Sequence, residues 1–157
     1  MKQKLLLTVL ALLMAVGTQA QGLRGRIYYN GNMSVAHLLK DKEGETEEER
    51  LEREHVMDEI FTMSVTVEFP ESHKMKCRMK IIMDQERAKE LDVNWATRKL
   101  WQTELTVNAK LHNYSKRYWC DGNKVILEDD TVMMISDDGE QLTINDSKME
   151  ATLKRIK

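Results

Sequence analysis

Two consecutive runs of strict alternation between apolar and polar residues constrain this fold more than any other feature of the sequence. Every odd position from Phe61 to Phe69 is apolar, and the even positions between them are polar. After a short break at residues 70–73, the odd positions from Met75 to Met83 are again apolar, and the even positions from Lys74 to Lys80 are basic. Successive side chains of a strand point to opposite faces, so this pattern predicts an antiparallel hairpin with one buried and one solvated face.

Short apolar segments separated by Asp, Asn and Gly follow the hairpin. Residues 103–112 alternate again, with Leu105, Val107, Ala109 and Leu111 in one row, and predict a further strand. Five more segments lie at 118–120, 125–127, 132–135, 142–144 and 149–153, and one strand near Ile27 ends at the turn-like Asn30-Gly31-Asn32. Strands at intervals of about 8 to 12 residues are typical of a meander. We therefore predict a mainly β fold in which an antiparallel meander forms a small barrel or a strongly curved sheet.

The first third of the chain has helical signals instead. Thr46 and Glu49 have the spacing of a capping box, and they predict an amphipathic helix over residues 46–60 that packs against the sheet. The helical N-terminal region spans about residues 34–60, and a second short helix is favoured after Asp84. An open α+β cradle, with the first helix in the concave face of the sheet, is the alternative architecture.

The first 20 residues are typical of a cleavable export signal. Lys2 and Lys4 precede an apolar stretch, and small residues end at Ala20. We expect residues 21–157 to form a single domain, periplasmic or secreted. Gln21 stands where a lipoprotein has Cys, so no lipid anchor is expected, and no second apolar run predicts a transmembrane segment.

Export also bears on the two cysteines. Cys77 and Cys120 both fall in predicted strands, and disulfides persist in exported proteins. We expect a disulfide between them, with two unbonded thiols acting as small hydrophobic side chains as the alternative.

The segment Tyr118-Trp119-Cys120-Asp121-Gly122-Asn123-Lys124-Val125-Ile126-Leu127 resembles the closing strands of the small exported lipocalin-like domains of the Bacteroidetes type. The resemblance covers residues 61–69 and 103–157. Where that family has a glycine in the strand, this chain has Lys116 or Arg117. The resemblance implies a lipocalin-like barrel and export, and it names no ligand.

No motif for catalysis, a cofactor or a metal is present in the sequence. The four histidines lack paired spacing, and no serine lies in G-x-S-x-G. The acidic turns at 129–130 and 137–140 lack the alternating ligands of a calcium loop. A basic row from Lys74 to Lys80, together with Lys116 and Arg117, has no interleaved aromatic residues, and the net charge is −2. We therefore expect no enzyme, no cofactor, no metal and no nucleic acid partner, and we interpret the row as a solvated strand face.

Methionines occupy several predicted inward positions. The candidate interior set is Met63, Val65, Met75, Met79, Trp119 and Met149. Flexible, polarisable side chains can line a cavity for an apolar ligand, and they can equally fill a packed core. Two hypotheses follow: an exported binding protein that carries a small apolar ligand inside its barrel, or an envelope or secreted interaction protein with a packed core that docks a protein partner. The oligomeric state is open.

Overall fold

The computed structural model describes residues 22–40, 42–146 and 149–157. The predicted export signal at 1–20 lies outside the described residues. The helices are α1 (Glu47–Ile60), α2 (Gln85–Glu90) and α3 (Trp95–Leu111), with a 3₁₀ helix at Ala36–Leu38. The strands are β1 (Ile27–Met33), β2 (Phe61–Glu71), β3 (Lys74–Met83), β4 (Tyr114–Asp121), β5 (Lys124–Leu127), β6 (Val132–Ile135), β7 (Gln141–Asp146) and β8 (Met149–Arg155).

These eight strands form a closed antiparallel barrel in which each strand lies beside its neighbours in sequence. The ring closes between the first strand and the residues after the last: Ile27 N donates to Lys157 O at 3.0 Å, and Ile156 N donates to Ile27 O at 2.8 Å. The predicted meander is confirmed, and the open cradle is not the observed architecture. The barrel is consistent with a lipocalin-like fold.

Residue contacts divide the chain into two compact units. Among the described residues, the first comprises 22–28, 67–76, 115–146 and 149–157, and the second comprises 29–40, 42–66 and 77–114. In the first unit, three aromatic rings form the centre of the core. The Phe69 ring meets Tyr28 edge-on at a centroid distance of 6.1 Å and Tyr118 at 5.0 Å. Edge-to-face contacts at such distances add to the stabilisation from burial.

The alternating runs form β2 and β3. All odd positions from Phe61 to Phe69 are fully buried, as are Met75 and Cys77, so the predicted inward face is confirmed. The turn is shorter than the break in the pattern, because β2 continues through Pro70 to Glu71 and leaves two residues between the strands.

The predicted capping box forms at the start of α1. The Glu49 carboxylate accepts from Thr46 N at 2.8 Å, and Glu49 N donates to Thr46 Oγ1 at 3.3 Å. Met57 and Ile60 are buried, and α1 packs against the barrel. Arg53 forms a bidentate ion pair with Glu45, in which both N–O distances are 2.7 Å. The hydrogen bonds from Arg53 lower the pKa of the Glu45 carboxyl group.

The prediction of a strand over residues 103–112 is wrong, because this segment is the second half of α3. The Asn94 side chain accepts from Thr97 N at 2.9 Å and caps the helix start. Of the predicted inward row, Leu105 and Ala109 are buried, whereas Val107 and Leu111 are exposed. Leu105 and Ala109 are four residues apart and share one helix face, so apolar residues at alternating positions are also compatible with a helix here.

The prediction that the first strand ends at Asn30-Gly31-Asn32 is also wrong, since β1 continues to Met33. Gly31 permits a close approach of the Tyr29 ring, since a Cβ at this position would overlap the ring and the ring would have to move. The short helix after Asp84 is confirmed as α2, capped by the Asp84 carboxylate, which accepts from Arg87 N at 2.9 Å.

Candidate functional site

Five of the six predicted interior side chains are buried. Met63, Val65 and Met75 have no accessible surface, and Met79 and Met149 are 6% and 9% exposed. Met63, Val65 and Met75 therefore line no cavity that is large enough to hold a water molecule. In this set, Met79 is held at its backbone by the Asn113 side chain, which accepts from Met79 N at 2.6 Å.

Trp119 does not belong to this set, and its predicted interior position is wrong. The side chain is 45% exposed, whereas its neighbour Tyr118 is buried. Tyr118 pairs with the buried Leu127 across β4 and β5, and Trp119 pairs with Ile126, so the two aromatic residues point to opposite faces. Burial raises the pKa of Tyr118 to about 12.

The expected disulfide is absent, because neither Cys77 nor Cys120 is disulfide-bonded. Cys77 is buried and Cys120 is half-buried, as in the alternative of two thiols in the core. Burial also raises the pKa of Cys120, which keeps the sulfur in its less nucleophilic thiol form.

An open pocket of about 300 Å³ lies beside Cys120. Arg26 lies against Gly139 there, and both carboxylates of the same turn have hydrogen-bond partners: Asp137 accepts from Asn123 Nδ2. Asp138 accepts from Ser136 Oγ at 2.5 Å, and that hydrogen bond lowers the pKa of Asp138. The pocket therefore holds charges of both signs.

A larger open groove of about 730 Å³ contains part of the basic row predicted from sequence. Its lining residues are Arg24, Glu71, Ser72, His73, Lys74, Ser115, Lys116, Arg117 and Glu128. Acidic residues offset this charge: Glu71 lies 3.7 Å from Lys74, and Asp129 pairs with Lys116, which lowers the pKa of Asp129. The surface is polar and solvated, and surface charges of this kind bind weakly.

The outer face of α3 is different, because large apolar side chains are exposed along its length. Leu100, Val107 and Leu111 are 66%, 53% and 77% exposed. Together with the exposed Ala96 and Thr103 they follow at intervals of four, three, four and four residues. We call these five residues the α3 stripe. Its position is opposite the buried Leu105 and Ala109 on the helix.

One edge of the α3 stripe is positive, and Glu104 lies towards the other edge, four residues after Leu100. Lys99 and Lys110 are exposed, and they are eleven residues apart, about three helical turns, so they lie on the same edge of the stripe. Glu104, the single acidic residue of α3, is half-buried. The helix therefore presents an apolar row with a positive edge.

A pocket of about 320 Å³ opens at the start of this positive edge. Its lining residues are Met83, Gln85, Trp95, Arg98, Lys99 and Gln102. Trp95 is 67% exposed, and Lys99 Nζ lies 4.9 Å from the centre of its ring. The Nε atom of Arg98 is buried and has no hydrogen-bond partner among the described residues.

Neither the α3 stripe nor this pocket is predicted by the sequence pattern, because the alternation over residues 103–112 predicts a strand. A helical reading of residues 95–111 reveals the stripe through its three- and four-residue spacing. In the described part of the chain, no group of three or more His, Cys, Asp or Glu residues is placed to hold a metal ion. A helix with the length and apolar composition of a membrane span does not occur in residues 22–40, 42–146 or 149–157.

Comparisons of the chain with protein-family models, with curated proteins and with solved structures found no match.

Proposed function

We propose that this protein is an exported, lipocalin-like, non-catalytic binding protein, and that its protein partner docks on the outer face of α3. The signal-like N-terminus supports export, and the closed eight-stranded barrel supports the lipocalin-like assignment. The observation that carries the proposal is the contrast in burial between the methionine set and the α3 stripe. The predicted interior side chains are covered, whereas three large apolar residues of α3 are more than half exposed. Exposed apolar surface of this kind marks interaction sites.

The width of the α3 stripe favours a partner helix. Its residues follow the three- and four-residue spacing of a coiled-coil seam, which is narrower than the apolar face of a helix that lies in a bilayer. Such a row spans about 16 Å from Leu100 to Leu111 and fits the side chains of one helix. Lys99 and Lys110 then select a helix with carboxylates on the facing edge.

A second copy of this chain fits the stripe less well. In an antiparallel pair of α3 helices, the edge bearing Lys99 and Lys110 meets its own equivalent, which places like charges together. The apolar part of the stripe is also small. Three exposed side chains supply on the order of half of the roughly 800 Å² that each partner contributes to a standard stable interface.

A synthetic helical peptide tests the proposal. The peptide has Leu at alternating three- and four-residue spacing and Glu along one edge, and a matched peptide has Lys in place of Glu. We expect fluorescence anisotropy to show at least about tenfold tighter binding of the acidic peptide. The double substitution Leu100→Gln with Leu111→Gln should abolish this binding. Leu51→Gln is the matched control, because Leu51 is 54% exposed and lies on α1.

Three results would contradict this docking mode. The first is equal binding of the two peptides, and the second is full binding by the double variant. The third is that the parent protein sediments as a dimer or binds phosphatidylglycerol vesicles, and that the Leu100→Gln and Leu111→Gln double variant does neither. In that case the occupant of the stripe would be a second copy or a bilayer rather than an acidic helix.

A small apolar ligand inside the barrel is the second candidate function. The observation in its favour is that Met79 and Met149, both on predicted inward positions, retain a small accessible surface. Native mass spectrometry of freshly purified protein is the test. A co-purifying species that is lost on organic extraction would support a carrier, and the mass of the bare chain alone would oppose it.

A further inference from the structure

Arg98 has a feature that the packing of the protein leaves unexplained. Its Nε atom is buried, and the described residues offer it no hydrogen-bond acceptor. A guanidinium group carries five N–H donors, and buried donors in native proteins are nearly always satisfied. A buried donor without an acceptor is costly, so the packing of the protein gives no reason for an arginine here. Arg98 also lines the pocket that opens at the start of α3.

The surroundings of Arg98 define what kind of acceptor fits. The pocket has two cationic side chains, Arg98 and Lys99, and no acidic residue in its lining. Met83 and the Trp95 ring supply apolar surface in the same pocket, and Gln85 adds an amide. The pocket volume of about 320 Å³ lies at the lower end of the range for small-ligand sites.

We infer that this pocket binds a carboxylate that is attached to a short apolar group. Arginine pairs with carboxylates through two parallel hydrogen bonds, and Lys99 adds a second positive charge. The apolar part of the ligand lies against Trp95 and Met83, which an inorganic anion would leave uncovered. This separates the pocket from the groove near Lys74, whose lining is polar throughout.

The inference goes beyond the proposed function and does not rest on it. Arg98 lies seven residues, or two helical turns, before Leu105, so it lies on the face of α3 opposite the stripe. A helix docked on the stripe therefore does not reach Arg98, and the ligand of the pocket is a separate small molecule that has a carboxylate and an apolar group.

Hexanoate is the probe, because it has a carboxylate and a short apolar chain and needs no partner protein. We expect a titration followed by ¹⁵N NMR to shift the Trp95 indole N–H and the backbone amides of Arg98 and Lys99. Hexanol and hexylamine have the same chain without the negative charge, and they should bind at least about tenfold more weakly. Arg98→Gln should weaken hexanoate binding about tenfold, whereas Lys110→Gln, on the same helix outside the pocket, should change it less than about twofold.

A stability measurement separates a binding role of Arg98 from a structural one. Arg98→Met keeps a long side chain and removes the unsatisfied donor, so the Tm should stay the same or rise. A clear decrease in Tm would indicate that Arg98 holds the fold together and would count against the inference. Equal binding of hexanoate and hexanol, no binding of hexanoate, or unchanged binding by Arg98→Gln would overturn it.

The outcome is independent of the peptide experiment. The Leu100→Gln and Leu111→Gln double variant should lose the acidic peptide and still bind hexanoate. If hexanoate fails while the acidic peptide binds, the docking surface stands and the carboxylate pocket is refuted. If hexanoate binds while the peptide fails, the pocket stands and the docking helix is refuted.

Discussion

Replacing Leu105 and Leu111 by Ala, one at a time, tests the position of α3 directly. The two residues lie six apart on the same helix, where Leu105 is fully buried and Leu111 is 77% exposed. Both belong to the row that the alternation pattern places on one face of a strand. A strand would therefore bury both residues, whereas the helix buries one.

The magnitudes follow from burial. Leu105→Ala removes a side chain with no accessible surface and leaves a cavity, so the free energy of unfolding should fall by about 3 kcal/mol. For a chain of this size, that loss corresponds to a decrease in Tm of roughly 10 °C. Leu111→Ala removes a side chain that is mostly in solvent already, and it should change the free energy of unfolding by less than about 0.5 kcal/mol.

The assay is equilibrium unfolding in urea followed by circular dichroism, with the two variants and the parent protein measured side by side. Ala and Leu have similar helix propensities, so the comparison reports packing rather than helix formation. If Leu111→Ala destabilised the protein as much as Leu105→Ala, the outer face of α3 would be covered in solution. The α3 stripe would then not be available to a partner.

Three further predictions concern other parts of the fold. Gly139→Ala and Gly44→Ala should each destabilise the protein, because both residues have positive φ. At Gly139 the new Cβ also meets the flexible end of Arg26, 2.7 Å from Nη1, and because that end can shift, the additional loss should be small. Comparison of the two Tm values isolates that contact. Thr46→Ala removes the side-chain cap of α1 and should cost about 1 kcal/mol in urea unfolding, whereas Thr46→Ser should cost a few tenths. Tyr118 should ionise at about 12 in an ultraviolet titration. Because its pKa is raised in the folded protein, the neutral Tyr118 side chain contributes fully to stability below the ordinary pKa of tyrosine, near 10, and this contribution is lost as the pH rises towards 12. Ionisation near 10 in the native protein would contradict the burial of Tyr118.

The β2–β3 hairpin was predictable because its period of two is long and its two faces differ sharply in polarity. Segments such as Val125 to Leu127 were predictable for another reason, since they are short, apolar and flanked by Asp, Asn and Gly. In both cases, local sequence and tertiary packing favour the same structure. The capping box at Thr46 belongs to the same class, because the two side chains that form it are three residues apart.

The α3 helix was mispredicted because apolar residues spaced by two include pairs spaced by four. Leu105 and Ala109 meet the requirement of a buried strand face and of a buried helix face equally well. What decides between them is the packing of the helix: Asn108 Nδ2 donates to Leu38 O at 2.9 Å, 70 residues away in sequence. Such a long-range contact is not visible in a window of ten residues.

The pocket beside Arg98 was beyond sequence analysis for a related reason. Its residues come from β3, from the start of α2 and from one side of α3. No short motif spans them. The buried Nε of Arg98 is a property of packing, and a sequence reports only that an arginine is present.

The pairing of Ile27 with residues 156 and 157 has a consequence for how the barrel assembles. Until β8 has been made, β1 has no partner on one side, and a ring of strands lacking its last member exposes two unpaired edges. Closure thus joins segments more than 120 residues apart in sequence. We expect slow folding, with aggregation of partly folded chains as the main competing process, and a circular permutant that joins these neighbouring ends through a short linker should fold faster.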